Sequence, residues 1–139
     1  MKETRFDAGL AVRCEVLGRE QVARSLKAAT EFARPMQELV TEYCWGAIWT
    51  RPGLERRDRS LTNIGVLTAL GRSHELAVHV RAAIRNGCTR TELQEVLLQT
   101  AVYCGMPAAL EALRTTEGAL DALEQNSDST ETAETAERG

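Results

Sequence analysis

The chain has 139 residues, with 17 basic against 20 acidic, four cysteines and 4% aromatics. That is the size of one domain with a modest core. The near-balance of charge excludes a global field for nucleic acid or an anionic membrane, and no apolar run approaches the ~20 residues that span a bilayer.

The elements read as helices throughout. The opening Met1-Lys2-Glu3-Thr4-Arg5-Phe6-Asp7 is too polar for a secretory leader, which makes the cytoplasm the expected compartment. Phe6, Leu10 and Leu17 define a first amphipathic helix that ends at Gly18. A second, about Arg19–Thr30, has Val22 and Leu26 at i, i+4. A third is expected over about Arg34–Trp49, with Met36, Leu39, Val40, Cys44 and Ile48 on a broad apolar face. Pro52-Gly53 stops it with a turn. Arg59–Leu70 is a fourth helix, carrying Leu61, Ile64 and Leu67 and broken by Gly71. Ser73 is the predicted N-cap of a helix over about Glu75–Arg85, and Gly87 its C′ glycine. Thr89 and Glu92 form a capping box for Glu92–Cys104. That helix has more apolar residues than one stripe needs, so it is either central or at a subunit contact. Pro107 opens the last helix, which is expected to reach about Leu123. From Gln125 the chain has no large apolar residue and a negative balance, so residues 125–139 are expected to be a disordered acidic tail on a domain spanning 1–124.

Chemistry concentrates around residues 43–59. Trp45 and Trp49 sit one helical turn apart and run into Thr50-Arg51-Pro52-Gly53, followed by Arg56, Arg57 and Arg59. An apolar wall beside guanidinium groups suits a small ring that bears carboxylates, because Arg pairs with carboxylates bidentately. The same residues also read as core tryptophans next to a solvated turn. His79 lies mid-helix in Leu76-Ala77-Val78-His79-Val80. Glu75, one turn earlier, could orient the imidazole or raise its pKa. His74 reads as solvent-facing. Cys14, Cys44, Cys88 and Cys104 show neither C-x-x-C nor zinc-type spacing, so they are expected to be free thiols that hold no zinc.

The run Trp45-Gly46-x-Ile48-Trp49-Thr50-Arg51-Pro52-Gly53-Leu54 resembles the signature of the gamma-carboxymuconolactone decarboxylases. So do Glu75-Leu76-x-x-His79-x-Arg81-Ala82-Ala83-x-x-Asn86-Gly87 and Glu92-Leu93-x-Glu95-Val96-Leu97-x-Gln99 through Tyr103-Cys104-Gly105-x-Pro107-Ala108-Ala109. Asp7-Ala8-Gly9, Val12-Arg13 and Val16-Leu17-Gly18 fit the same pattern, which then covers about residues 5–123. The resemblance implies an all-α bundle of about six to seven helices with the alkylhydroperoxidase D-like fold, assembled as a trimer or hexamer with sites near subunit contacts. The thiol-dependent relatives carry a C-x-x-C before the family histidine. This chain has Arg72-Ser73-His74-Glu75 there and cannot run thiol–disulfide exchange at that place.

The implied reaction is decarboxylation of 4-carboxymuconolactone to 3-oxoadipate enol-lactone, with the substrate as its own electron sink. That chemistry needs no metal or organic cofactor, and the implied catalytic residues are His79 as the acid/base, Glu75 holding it, and Arg51, which with one of Arg57 or Arg59 would bind the carboxylates or the lactone oxygen. Trp45, Trp49, Arg57, Arg59, Cys44 and Ala47 would shape the substrate site, and Arg81 reads equally as an ion-pair partner. Ala47 stands where the family usually has an acid. Asn63 puts an amide in an apolar helix. Cys44 replaces a common Ala, and Cys88 a usual aliphatic. These departures favour a second reading, a biosynthetic relative acting on another lactone or polyketide-like compound. A non-catalytic binding module is a third.

Overall fold

The first helix begins where its cap places it. In the computed structural model, which describes residues 2–138, Thr4 and Asp7 form a capping box. The Thr4 hydroxyl accepts from the Asp7 amide and the Asp7 carboxylate accepts from the Thr4 amide, each at 3.1 Å. Helix α1 (Arg5–Leu17) follows, and Gly18 separates it from α2 (Arg19–Ala28).

The third predicted helix divides in two. Arg34–Leu39 is α-helical (α3), with Pro35 in its first turn. Val40–Ile48 is instead a π-helical segment. The wide turn closes with the Trp49 amide donating to the Cys44 carbonyl at 3.1 Å, five residues back rather than four. The buried face also differs from the expected one. Met36, Leu39 and Ile48 are exposed, while Thr41, Trp45 and Trp49 face inward. The cause is a backbone approach to α1 that hydrophobic periodicity does not report. A Cβ added at Gly9 would lie 2.1 Å from the Thr41 carbonyl oxygen, and one at Gly46 would lie 2.4 Å from the Arg5 carbonyl oxygen. Only glycine fits either place.

After the Pro52-Gly53 turn, α4 (Arg56–Leu70) starts three residues earlier than expected and ends at Gly71, whose φ of 69° is left-handed. Helix α5 spans Ser73–Arg85. Ser73 is not its N-cap; it lies in the first turn, and its hydroxyl donates to Glu111 Oε1 at 2.9 Å. The Thr89/Glu92 capping box opens α6 (Arg90–Cys104) as read from the sequence. Helix α7 runs from Met106 to Glu137, beyond the expected stop near Leu123. No Gly or Pro interrupts residues 119–138. Ser127, Ser129, Thr130, Thr132 and Thr135 each donate back to the carbonyl four residues earlier. Residues 124–138 are nonetheless all exposed. The described residues form seven α-helices and one π-helical segment, with no strand.

Helix α5 is the central element. One face joins the main core, where Leu76, Val80 and Ala83 pack with Ile64 of α4, Leu93 and Leu97 of α6 and Ala112, Ala119 and Leu120 of α7. Its other face carries Ala82 into a second cluster with Val16 of α1 and with Trp45 and Trp49. Helix α6 is not central: Leu93 and Leu97 are buried, but Val102 and Tyr103 are each 79% exposed. Among the described residues no helix is long and apolar enough to cross a membrane.

Candidate active site

The second cluster brings an aromatic clamp, two indoles side by side, up against the histidine. Trp45 and Trp49 lie with ring centroids 4.8 Å apart. The imidazole of His79 stacks on Trp45 at 6.3 Å and 4° between planes, and on Trp49 at 6.4 Å and 27°. The indoles are 4% and 6% exposed, while His79 is half-buried. Burial holds the imidazole below its ordinary pKa, and the field of Glu75 opposes this only in part. Glu75 is exposed. The side chain that meets the ring is Asn63 of α4, whose Nδ2 lies 3.4 Å from His79 Nδ1.

The arginines of the turn separate by what they already bind. Arg57 pairs with Glu92 of α6 and, at 3.6 Å, with Asp58. The Glu92 bond raises the guanidinium pKa above its usual value and lowers that of the carboxylate. Arg59 donates from Nη2 to the Arg51 carbonyl at 3.1 Å, and its buried Nε has no partner. It stands one turn before Asn63, on the same face of α4. The Arg51 side chain is exposed and pairs with no acid among the described residues. The arrangement leaves Arg51 and Arg59 with free donors and commits Arg57 to holding α4 against α6.

Cys44 and Ala47 are half-buried in the π-helical segment, and Cys44 packs on the tryptophan cluster. Burial pushes the Cys44 thiol up, with Arg13 acting against it. Arg13 was not singled out from the sequence as a site residue. It is buried, and it donates to Thr41 Oγ1 and Gln37 Oε1, each at 3.0 Å, while its Nε is unpaired. Burial lowers its pKa, and no acid pairs with it among the described residues. The signal was present in α1, where Gly9, Arg13 and Val16 occupy one buried face. The four cysteines are free; Cys88 is buried and donates to the Arg57 carbonyl, and Cys104 is exposed.

Cavities of about 590, 340 and 300 Å³ lie along α7. None of the three is lined by a histidine or a tryptophan. The aromatic clamp, with its titratable ring and the arginines that follow it in sequence, is the candidate active site.

The carboxymuconolactone decarboxylase family model matches residues 34–118, a span that includes the clamp, the arginine turn and His79. The chain is 48% identical over 112 residues to the nitrosuccinic acid decarboxylase of Metarhizium robertsii, covering 81% of this chain and 78% of that one. It is 45% identical over 115 residues to the 4-carboxymuconolactone decarboxylase of Acinetobacter baylyi, covering 83% and 86%. An uncharacterised 15.0 kDa protein of Paracoccus denitrificans is 32% identical over 105 residues. The motifs, the helical fold and these matches agree: the chain is an enzyme of the carboxymuconolactone decarboxylase family.

Proposed function

We propose that the enzyme decarboxylates 4-carboxymuconolactone to 3-oxoadipate enol-lactone without a cofactor. The observation that supports this reading is His79 set against two adjoining indoles, with an arginine bearing an uncommitted N–H one turn from its amide neighbour. When CO2 leaves, its bonding pair moves through the ring double bond onto the lactone carbonyl, and a ring carbon then takes up one proton. The protein must therefore hold carboxylates, stabilise an oxyanion and let one proton reach carbon. Arg51 and Arg59 take the carboxylates, and His79 faces the atoms that gain charge. Trp45 and Trp49 form the wall, with Cys44 and Ala47 shaping its edge. Glu75 tunes His79 through its field.

A second reading has its own support in the 48% identity to a nitrosuccinic acid decarboxylase. Nitrosuccinate is a small dicarboxylate whose nitro group can accept the electron pair, so the same clamp and arginines serve it. Ala47, in place of the family acid, fits such a change of substrate. We infer further that the enzyme is a cytoplasmic homo-oligomer, trimer or hexamer, and that residues 1–124 carry the activity without the acidic extension.

The deciding assay follows loss of 4-carboxymuconolactone absorbance with purified protein, with nitrosuccinate in parallel and His79→Ala as control. Turnover of the lactone that disappears in the variant supports the first reading. Turnover of nitrosuccinate alone replaces it with the second. If Ala47 marks the shift, Ala47→Glu raises lactone turnover; no gain shows that this position is not limiting.

A further inference from the structure

Asn63 lies outside the motif blocks, yet it provides the polar side chain that meets His79. From this geometry we propose that the Asn63 amide holds His79 Nδ1 as an acceptor, which places the ring proton on Nε2. His79 then acts as a neutral hydrogen-bond donor to the oxygen that gathers charge, not as the acid that protonates carbon. The proposal rests on the decarboxylase reading above.

The argument begins with the atoms. Asn63 Nδ2 lies 3.4 Å from His79 Nδ1. An amide nitrogen donates and cannot accept. Nδ1 must then present its lone pair, and a neutral imidazole in that state carries its proton on Nε2. The contact is long, as such bonds commonly are before a ligand tightens the site. The surroundings favour the neutral ring. The π-helical segment presents Trp45 and Trp49, neither of which ionises, and packs Cys44 on the same cluster, where burial keeps the thiol protonated and neutral. Helix α1 contributes Val12, Val16 and Leu17 to the same cluster. Helix α4 contributes Asn63, with the Arg59 guanidinium one turn away, and α5 contributes Glu75 as the one charge whose field registers on the ring. No carboxylate bonds Nδ1 to stabilise a cation. Among the described residues, none accepts from Nε2, which leaves that donor for a ligand.

A neutral imidazole is too weak an acid to give its proton to carbon. Its N–H dipole, fixed in an apolar setting, is well suited to an oxyanion. In this step the C–C bond breaks and its pair moves to the acceptor oxygen, which lies against Nε2–H. No proton leaves the ring. The carbon takes its proton from solvent after CO2 has gone. The same donor serves a lactone oxygen or a nitro oxygen.

The test reads the ring directly. The chain has two histidines, so long-range ¹H–¹⁵N spectra of histidine-labelled protein near pH 7 resolve both, and His79→Gln assigns them. The expected spectrum shows His79 neutral with the proton on Nε2. In Asn63→Leu the two tautomers mix. In Asn63→Asp the proton moves to Nδ1 and the ring titrates at higher pH. A proton on Nδ1 in the natural protein, as the opposite amide orientation would give, overturns the proposal. So does a cationic ring near pH 7, or a spectrum that Asn63→Leu leaves unchanged. Kinetics add a second arm on whichever acid is turned over. The turnover number should rise with pH through the His79 titration and then level. Asn63→Asp should move that limb upward, and Asn63→Leu should lower kcat by roughly 10- to 100-fold with little change in KM. Activity that falls as His79 loses its proton would make it a cationic acid and refute the proposal. If neither acid is turned over, the substrate assignment fails while the spectra still decide the role of Asn63. Circular dichroism confirms that each variant is folded.

Discussion

The imidazole of His79 takes a proton less readily in the folded chain than in the unfolded one, because burial disfavours its cation. Acid therefore favours the unfolded chain. The contribution is fully present above the ordinary value of 6.5 and is lost as pH falls below it. Asp7 and Glu92 have lowered pKa values, so their contributions are lost further down, as pH drops through the usual carboxylate range. The unfolding temperature should thus fall as pH drops below about 6.5, and His79→Gln should flatten that part of the curve. An unchanged slope in the variant would assign the loss to other groups. The arginines give a second residue-scale prediction. Arg57→Ala should move the urea-unfolding midpoint little, since the Arg57–Glu92 pair is about a third exposed on each side. Arg59→Ala should instead raise KM, because its free Nε is offered to a carboxylate; an unmoved KM would place Arg59 outside the binding set. His79 and the two tryptophans were singled out as candidates through the motifs that resemble the family, since helix position and residue type alone also read as core. The Asn63 contact and the Arg13 anchor were not, since both depend on how helices far apart in sequence meet.

At the scale of elements, the π-helical segment is where the sequence reading fell short. Apolar spacing over Arg34–Trp49 suggested one α-helix with Met36, Leu39 and Ile48 inward, yet those three face outward. Periodicity reports which residues are apolar, not how many residues close a hydrogen-bonded ring. The glycines held the missing information, since Gly9 and Gly46 let two backbones touch. Gly46→Ala should destabilise the protein by roughly 1–3 kcal/mol in denaturant unfolding and displace Trp45. A variant of unchanged stability would show that the backbones can part without loss. The Thr89/Glu92 box and the breaks at Gly71 and Pro107 were read correctly, because each acts within a few residues of itself.

For the whole molecule, the apolar residues left outside the cores stand out. Phe32 is 97% exposed, and Met36, Leu39 and Tyr43 follow it along α3 and the π-helical segment. Val102, Tyr103, Met106 and Leu110 are exposed across the α6–α7 junction. So much open apolar surface is unusual for a lone subunit and accords with the proposed homo-oligomer. Light scattering at micromolar concentration should give a mass of three or six chains, and Tyr103→Glu should lower it. A natural protein that scatters as a monomer would refute the oligomer. The α7 extension should behave differently. Removing residues 125–139 should reduce helical content while changing stability by less than about 0.5 kcal/mol, because none of the described residues beyond Glu124 is buried. A larger loss would mean that the extension packs against another subunit.

The chain has two tryptophans, and both lie in the clamp against His79. The protein therefore carries its own optical reporter. Its indole emission arises only at the candidate site, undiluted by fluorophores elsewhere. With the rings 4.8 Å apart, their transitions should couple into a paired band in circular dichroism. A bound acid, a protonated His79 or a displaced α1 would each register as a change in that signal, without a label and without turnover.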